Sequence, residues 1–107
     1  MTLQHVVLFQ FPSELSAAED AEMRAQIAAW PREIPGIRAL RFGKDLTGER
    51  TSGYASLLYM ELDDAQALAD YQVHPTHRRF QDWLRARSAT VLGFDYHLDE
   101  HTVIPTG

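Results

Sequence analysis

The chain has 107 residues, no cysteine and a formal net charge of −5. That is one domain's worth of sequence with enough chain to bury a core unaided. The missing cysteines exclude disulfides, thiolate nucleophiles and thiolate metal sites. The acidic balance disfavours nucleic acid or an anionic lipid surface as partner.

Residues 3–11, Leu-Gln-His-Val-Val-Leu-Phe-Gln-Phe, read as a strand ended by Pro12. Its odd positions are apolar except His5, and its even positions are apolar in the middle, so both faces of its sheet are expected to be covered. Ser16-Ala-Ala-Glu19 is a capping-box pattern. The helix it opens is expected to run to about Trp30, before Pro31, with Ala18, Met23, Ile27 and Trp30 on one stripe. Pro35-Gly36 is a turn. A second strand follows from Ile37 to Lys44, then a polar loop to Gly53, then a third strand from Tyr54 to Leu62. Asp63-Asp64 caps a short helix carrying Ala65, Leu68 and Tyr71. The next helix starts at Pro75, a favourable first-turn position, and runs to about Arg87, with Phe80, Trp83 and Leu84 on one face. A fourth strand spans Ala89 to Leu98.

The order β-α-β-β-α-α-β predicts an α+β, ferredoxin-like split-βαβ antiparallel sheet with its helices on one face. Residues 1–98 are assigned to this domain and residues 99–107 to a polar C-terminal tail. A sheet covered by helices on one side leaves the other bare. With Leu3, Val7, Phe9 and Phe11 assigned to the bare side, the patch exceeds what a monomer usually shows. A second copy is the expected cover, giving a homodimeric barrel. No apolar run approaches the ~20 residues that cross a bilayer. The N-terminal residues show no secretory pattern. A soluble cytoplasmic protein without membrane or nucleic-acid partners is expected.

The candidate chemistry clusters at Tyr71-Gln-Val-His-Pro-Thr-His77. His77 lies near a helix N-terminus, whose dipole favours the neutral imidazole, a form able to accept a proton. His5, mid-strand among apolar residues, reads as a general base or hydrogen-bond donor, or else as a core or interface histidine. Tyr71 offers a hydroxyl to a carbonyl or phenolate, or simple amphipathic packing. His74 suits a substrate contact or a helix cap. Asp95 could orient a histidine or pair with an arginine, and Tyr54 and Tyr96 suit core positions. No metal-ligating, nucleotide-binding or nucleophile-elbow motif appears, so no metal and no cofactor are expected.

The chain resembles the stress-responsive dimeric α/β-barrel family, Dabb. The resemblance rests on His-Val-Val-Leu-Phe-Gln-Phe (5–11), Ile-Pro-Gly-Ile (34–37), Gly-Lys-Asp (43–45), Gly53-Tyr54, Asp70-Tyr71, His-Pro-Thr-His (74–77) and Phe-Asp-Tyr (94–96). It implies the homodimeric barrel and, in some members, cofactor-free polyketide cyclisation or stress-associated roles. In cyclising members the positions of His5, Tyr71, His74 and His77 line a pocket. His5, Tyr71 and His77 are accordingly expected as catalytic; His74, Tyr54, Ser56, Ile27, Phe80 and Trp83 are expected to contact a small aromatic or polyketide-like ligand. Two positions depart from the cyclising pattern. Ser56 stands where a second strand histidine would be, and Ile27 where the first helix would carry a tyrosine.

Overall fold

The computed structural model describes residues 1–107. Its elements are β1 (Leu3–Gln10), α1 (Ala17–Glu33), β2 (Ile37–Lys44), β3 (Ser56–Leu62), α2 (Ala65–Val73), α3 (Pro75–Ala86) and β4 (Thr90–His97). The strands form one antiparallel sheet in the order β2-β3-β1-β4. This is the ferredoxin-like α+β architecture, with three helices on one face of four strands. No helix is long and apolar enough to cross a membrane.

The helix starts follow from capping chemistry. Ser16 and Glu19 form the full capping box: the Glu19 N–H donates to Ser16 Oγ and the Ser16 N–H to Glu19 Oε1. The Asp64 carboxylate accepts the Ala67 N–H at 2.8 Å. At α3, His74 caps and Pro75 occupies the first turn. Contrary to the sequence expectation, α1 passes through Pro31 and ends at Glu33. Proline in the last turn removes only one ladder bond, and the Ile34 N–H closes the helix on the Trp30 carbonyl at 2.8 Å. β3 begins two residues later than expected. The turn at residues 51–53, with Ser52 and Gly53 at φ 54° and 90°, still bends the chain at Tyr54, whose N–H returns to the Thr51 carbonyl. Gly36 is required twice over. Its φ is 90°, and a Cβ there would come within 2.9 Å of Ala67 Cβ.

The cross-strand register sorts the sheet into two faces. Leu3, His5, Val7 and Phe9 stand opposite Leu62, Met60, Leu58 and Ser56, and all eight are buried under the helices. With Met23, Ile27, Trp30, Ile34, Tyr71, Phe80, Trp83 and Leu84 from the helices and the residue that caps α1, the apolar members form the core. This corrects the assignment of Val7 and Phe9 to the uncovered side. The helices take the odd side, apolar except for His5, and the bare side is the even one. It carries Val6 and Leu8 of β1, paired with Tyr59 and Leu57 of β3 and with Phe94 and Leu92 of β4. Phe94 is 66 % exposed and Leu92 52 %. At its end, Gln4 is buried by hydrogen bonds: it donates to Glu61 and accepts from the Tyr59 hydroxyl. β4 is an edge strand, exposed along all 8 residues.

Candidate functional site

Because β4 lies beyond the helix layer, a gap opens between α2–α3 and the β1–β4 edge. It is a cavity of about 420 Å³, within the usual range for a small-molecule site. His5, Tyr71, His77, Asp95 and Gln72 contribute polar groups to its wall, and Gln81 and Arg85 of α3 line it as well. Phe9, Leu84, Ala89 and Val91 supply apolar lining.

His5 is held there by strand register. Its apolar neighbours place the strand in the core, and the partner directly opposite on β4 is Asp95. The His5 Nδ1 lies 2.5 Å from Asp95 Oδ1. A carboxylate on Nδ1 fixes the ring's orientation and makes Nδ1 the protonated nitrogen. Tyr71 enters from the last turn of α2. Its ring meets His5 edge-on at 5.4 Å between centroids and lies 4.1 Å from the His77 ring. The two imidazoles are thus bridged by one tyrosine and face one cavity. Burial, helped by the Asp95 charge, holds the Tyr71 phenol well above the ordinary tyrosine range, so it stays protonated.

His77 comes from the first turn of α3, with its entry set by Pro75. The ring is half-buried, with Trp30 5.7 Å away. Its Nδ1 lies 3.3 Å from the Gln72 carbonyl, which can only accept. Nδ1 therefore carries the hydrogen and Nε2 keeps its lone pair. Burial pushes the His77 pKa below the usual histidine value. The Gln72 bond works against this, and the nearby His5 and His74 add to the lowering.

The other residues singled out in the sequence are placed as follows. Phe80 lines the cavity and packs edge-on to Trp30 at 5.1 Å. Trp83 lies outside it, stacked on Phe80 and covered by the Arg87 guanidinium at 3.9 Å. Ile27 is a core residue of α1. His74 is spent on the α3 cap, its Nδ1 accepting the Thr76 N–H at 3.1 Å. Tyr54 and Ser56 lie at the opposite end of the sheet, beside a separate, more polar cleft of about 470 Å³ with Asp20 and Lys44. Tyr96 is on the open face beside Phe94. Sequence reasoning missed Gln72, Gln81, Arg85, Val91 and Gly93 of the lining. For β4 a signal existed: counting back by twos from Asp95 gives Gly93 and Val91, the same face as His5. No group of three or more His, Asp or Glu side chains is close enough to hold a metal ion.

Fold and cavity together define a ferredoxin-like protein with a cavity under one sheet edge. The chain belongs to the stress responsive A/B barrel domain family, Dabb, whose sequence model matches residues 3–98. It is 27 % identical over 97 residues to olivetolic acid cyclase of Cannabis sativa, covering 90 % of this chain and 96 % of that protein. It is 27 % identical over 95 residues to the stress-response A/B barrel domain-containing protein HS1 of Arabidopsis thaliana, covering 88 % and 87 %. Among solved structures, a dimeric ferredoxin-like protein of unknown function from Jannaschia sp. superposes with a TM-score of 0.77 at 27 % identity, covering 92 % of this chain and all of that one.

Proposed function

We propose that this protein is a cofactor-free acid–base catalyst of the cyclase or isomerase type, acting as a homodimer on a small aromatic or polyketide-like ligand. The domain is residues 1–98, with 99–107 as an appended tail. The observation that carries this reading is the convergence of His77, with a free Nε2, and the protonated Tyr71 on one cavity wall beside the His5–Asp95 pair. The similarity to a cyclase points the same way.

The chemistry runs on these groups alone. The neutral Nε2 of His77 removes a proton from the carbon next to a ligand carbonyl. The Tyr71 hydroxyl donates a hydrogen bond to the enolate oxygen as negative charge develops there. In a ligand with a second carbonyl, the enolate carbon attacks that carbonyl carbon and forms the new C–C bond. The alkoxide so formed takes back the proton from the His77 imidazolium, which restores the base. His5, fixed by Asp95, presents its other nitrogen to the ligand.

A second reading, a non-catalytic ligand-binding or stress-associated barrel, is favoured by one observation. Ile27 and Ser56 stand where the cyclising pattern has a tyrosine and a histidine, and neither residue lines the cavity. Deuterium exchange at the α-carbons of 4-phenylbutan-2-one in D2O, followed by NMR, separates the two. The acid–base reading expects the unmodified protein to accelerate exchange and His77→Ala to lose about 10²- to 10⁴-fold of that acceleration. His97→Ala, at the exposed end of β4, should keep it. No acceleration by the unmodified protein, or full acceleration by His77→Ala, would overturn it.

A further inference from the structure

We infer that Gly93 is a specificity-determining residue, leaving open the part of the cavity that receives an apolar para-substituent of an aromatic ligand. The inference rests on the pocket proposed above and says what shape of ligand it takes. Gly93 sits within the run of β4, where glycine is unfavourable on entropic and packing grounds. Two common reasons for a strand glycine are absent. Its φ is not positive, so no left-handed conformation demands it. A Cβ built there meets no atom within 4 Å, so no neighbouring chain demands it either. What the missing side chain does leave is space on the cavity side. Gly93 stands opposite Val7, whose face lies under the helices, and both residues line the cavity.

Its position fixes which part of a ligand it serves. Gly93 is two residues along the strand from Asp95, about 7 Å away. A phenol whose hydroxyl meets the His5–Tyr71–His77 cluster would direct its para-substituent toward Gly93. Val7 opposite it, Val91 on the same strand face, and Leu58 and Leu84 supply apolar lining. These side chains suit an alkyl chain, with Gln81 and Arg85 of α3 also on the lining. A side chain at residue 93 would shorten the cavity from its middle without touching the acid–base groups.

The test is binding of phenol, 4-ethylphenol and 4-butylphenol by titration calorimetry to the unmodified protein, Gly93→Ala and Gly93→Val. Valine favours strands, and the site is sterically free, so both variants should melt no lower than the unmodified protein. In the unmodified protein affinity should rise about fourfold per buried methylene from phenol to 4-butylphenol. Gly93→Val should lose more than tenfold for 4-butylphenol and less than twofold for phenol, with Gly93→Ala between. Equal affinity of the unmodified protein and Gly93→Val for 4-butylphenol overturns the role of Gly93 and leaves the pocket standing. No binding of any phenol by the unmodified protein overturns the pocket itself and this inference with it. Because phenols are not turned over, neither result depends on whether His77 is a catalytic base.

Discussion

Phe94→Asp should convert the proposed dimer into a folded monomer. Phe94 is 66 % exposed on the open face of the sheet, and a phenylalanine presents on the order of 200 Å², so roughly 130 Å² awaits cover in each copy. At ~25 cal/mol/Å² that is about 3 kcal/mol per copy, and a two-fold interface counts it twice, about 6 kcal/mol. Losing it weakens dimerisation on the order of 10⁴-fold, before the cost of facing two carboxylates across an apolar interface. The fold should survive, because Phe94 takes no part in the core under the helices. Val7→Asp gives the contrast: Val7 is 7 % exposed and packed under the helices, so that variant should unfold rather than dissociate. Sedimentation velocity with far-UV circular dichroism reads both properties. A Phe94→Asp protein that remains dimeric at micromolar concentration, or an unmodified protein that is a folded monomer there, would refute the assignment of the interface.

The remaining predictions concern pH and capping. His77 has a folded pKa below its unfolded value, so the unfolded chain takes up the proton first as pH falls. Its contribution to stability is therefore full above about pH 6.5, the ordinary histidine value, and is lost as pH falls through the lower folded value. Melting temperatures of the unmodified protein should drop over that window more steeply than those of His77→Gln; parallel curves would contradict the burial. Catalytic exchange should likewise fall on the acid side only below pH 6.5. Ser16→Ala breaks the capping box and should cost about 1 kcal/mol in urea unfolding. No loss would mean that the Glu19–Arg87 contact at 3.0 Å holds the start of α1 by itself.

The element order was legible because each boundary carries local chemistry: Ser16 and Glu19, Asp64, Pro75 and the Gly36 turn all act within a few residues. The face assignment of β1 was not. Val6 and Leu8 are as apolar as Val7 and Phe9, and only the register with β3 and the packing of α1 and α3 decides which pair is covered. Pro31 looks like a stop in sequence because nothing there says that it falls in a last turn closed by the Ile34 N–H. The site divided in the same way. His5, Tyr71 and His77 announce themselves by residue type. Gly93 and Gln81 do not, since a strand glycine and a helical glutamine acquire meaning only once a cavity is known to lie beside them. Tyr54 and Ser56 sit next to Gly53, whose turn carries them to the far end of the sheet.

One strand joins assembly and chemistry. Phe94 and Tyr96 face the open side of β4, while Asp95 between them faces the cavity and holds His5. Hydrogen bonds to β1 alone tie β4 to the sheet, and its free edge and both faces are exposed within one protomer. An edge strand held on one side is the part of a sheet that opens most readily. A partner covering Phe94 and Tyr96 removes that freedom and fixes the Asp95 carboxylate on the other side of the same backbone. In the proposed dimer the orientation of His5 then depends on an interface that lies on the opposite face of β4 from the cavity. The proposed dimer is thus a device for holding an edge strand still, with the proposed acid–base groups beside that strand.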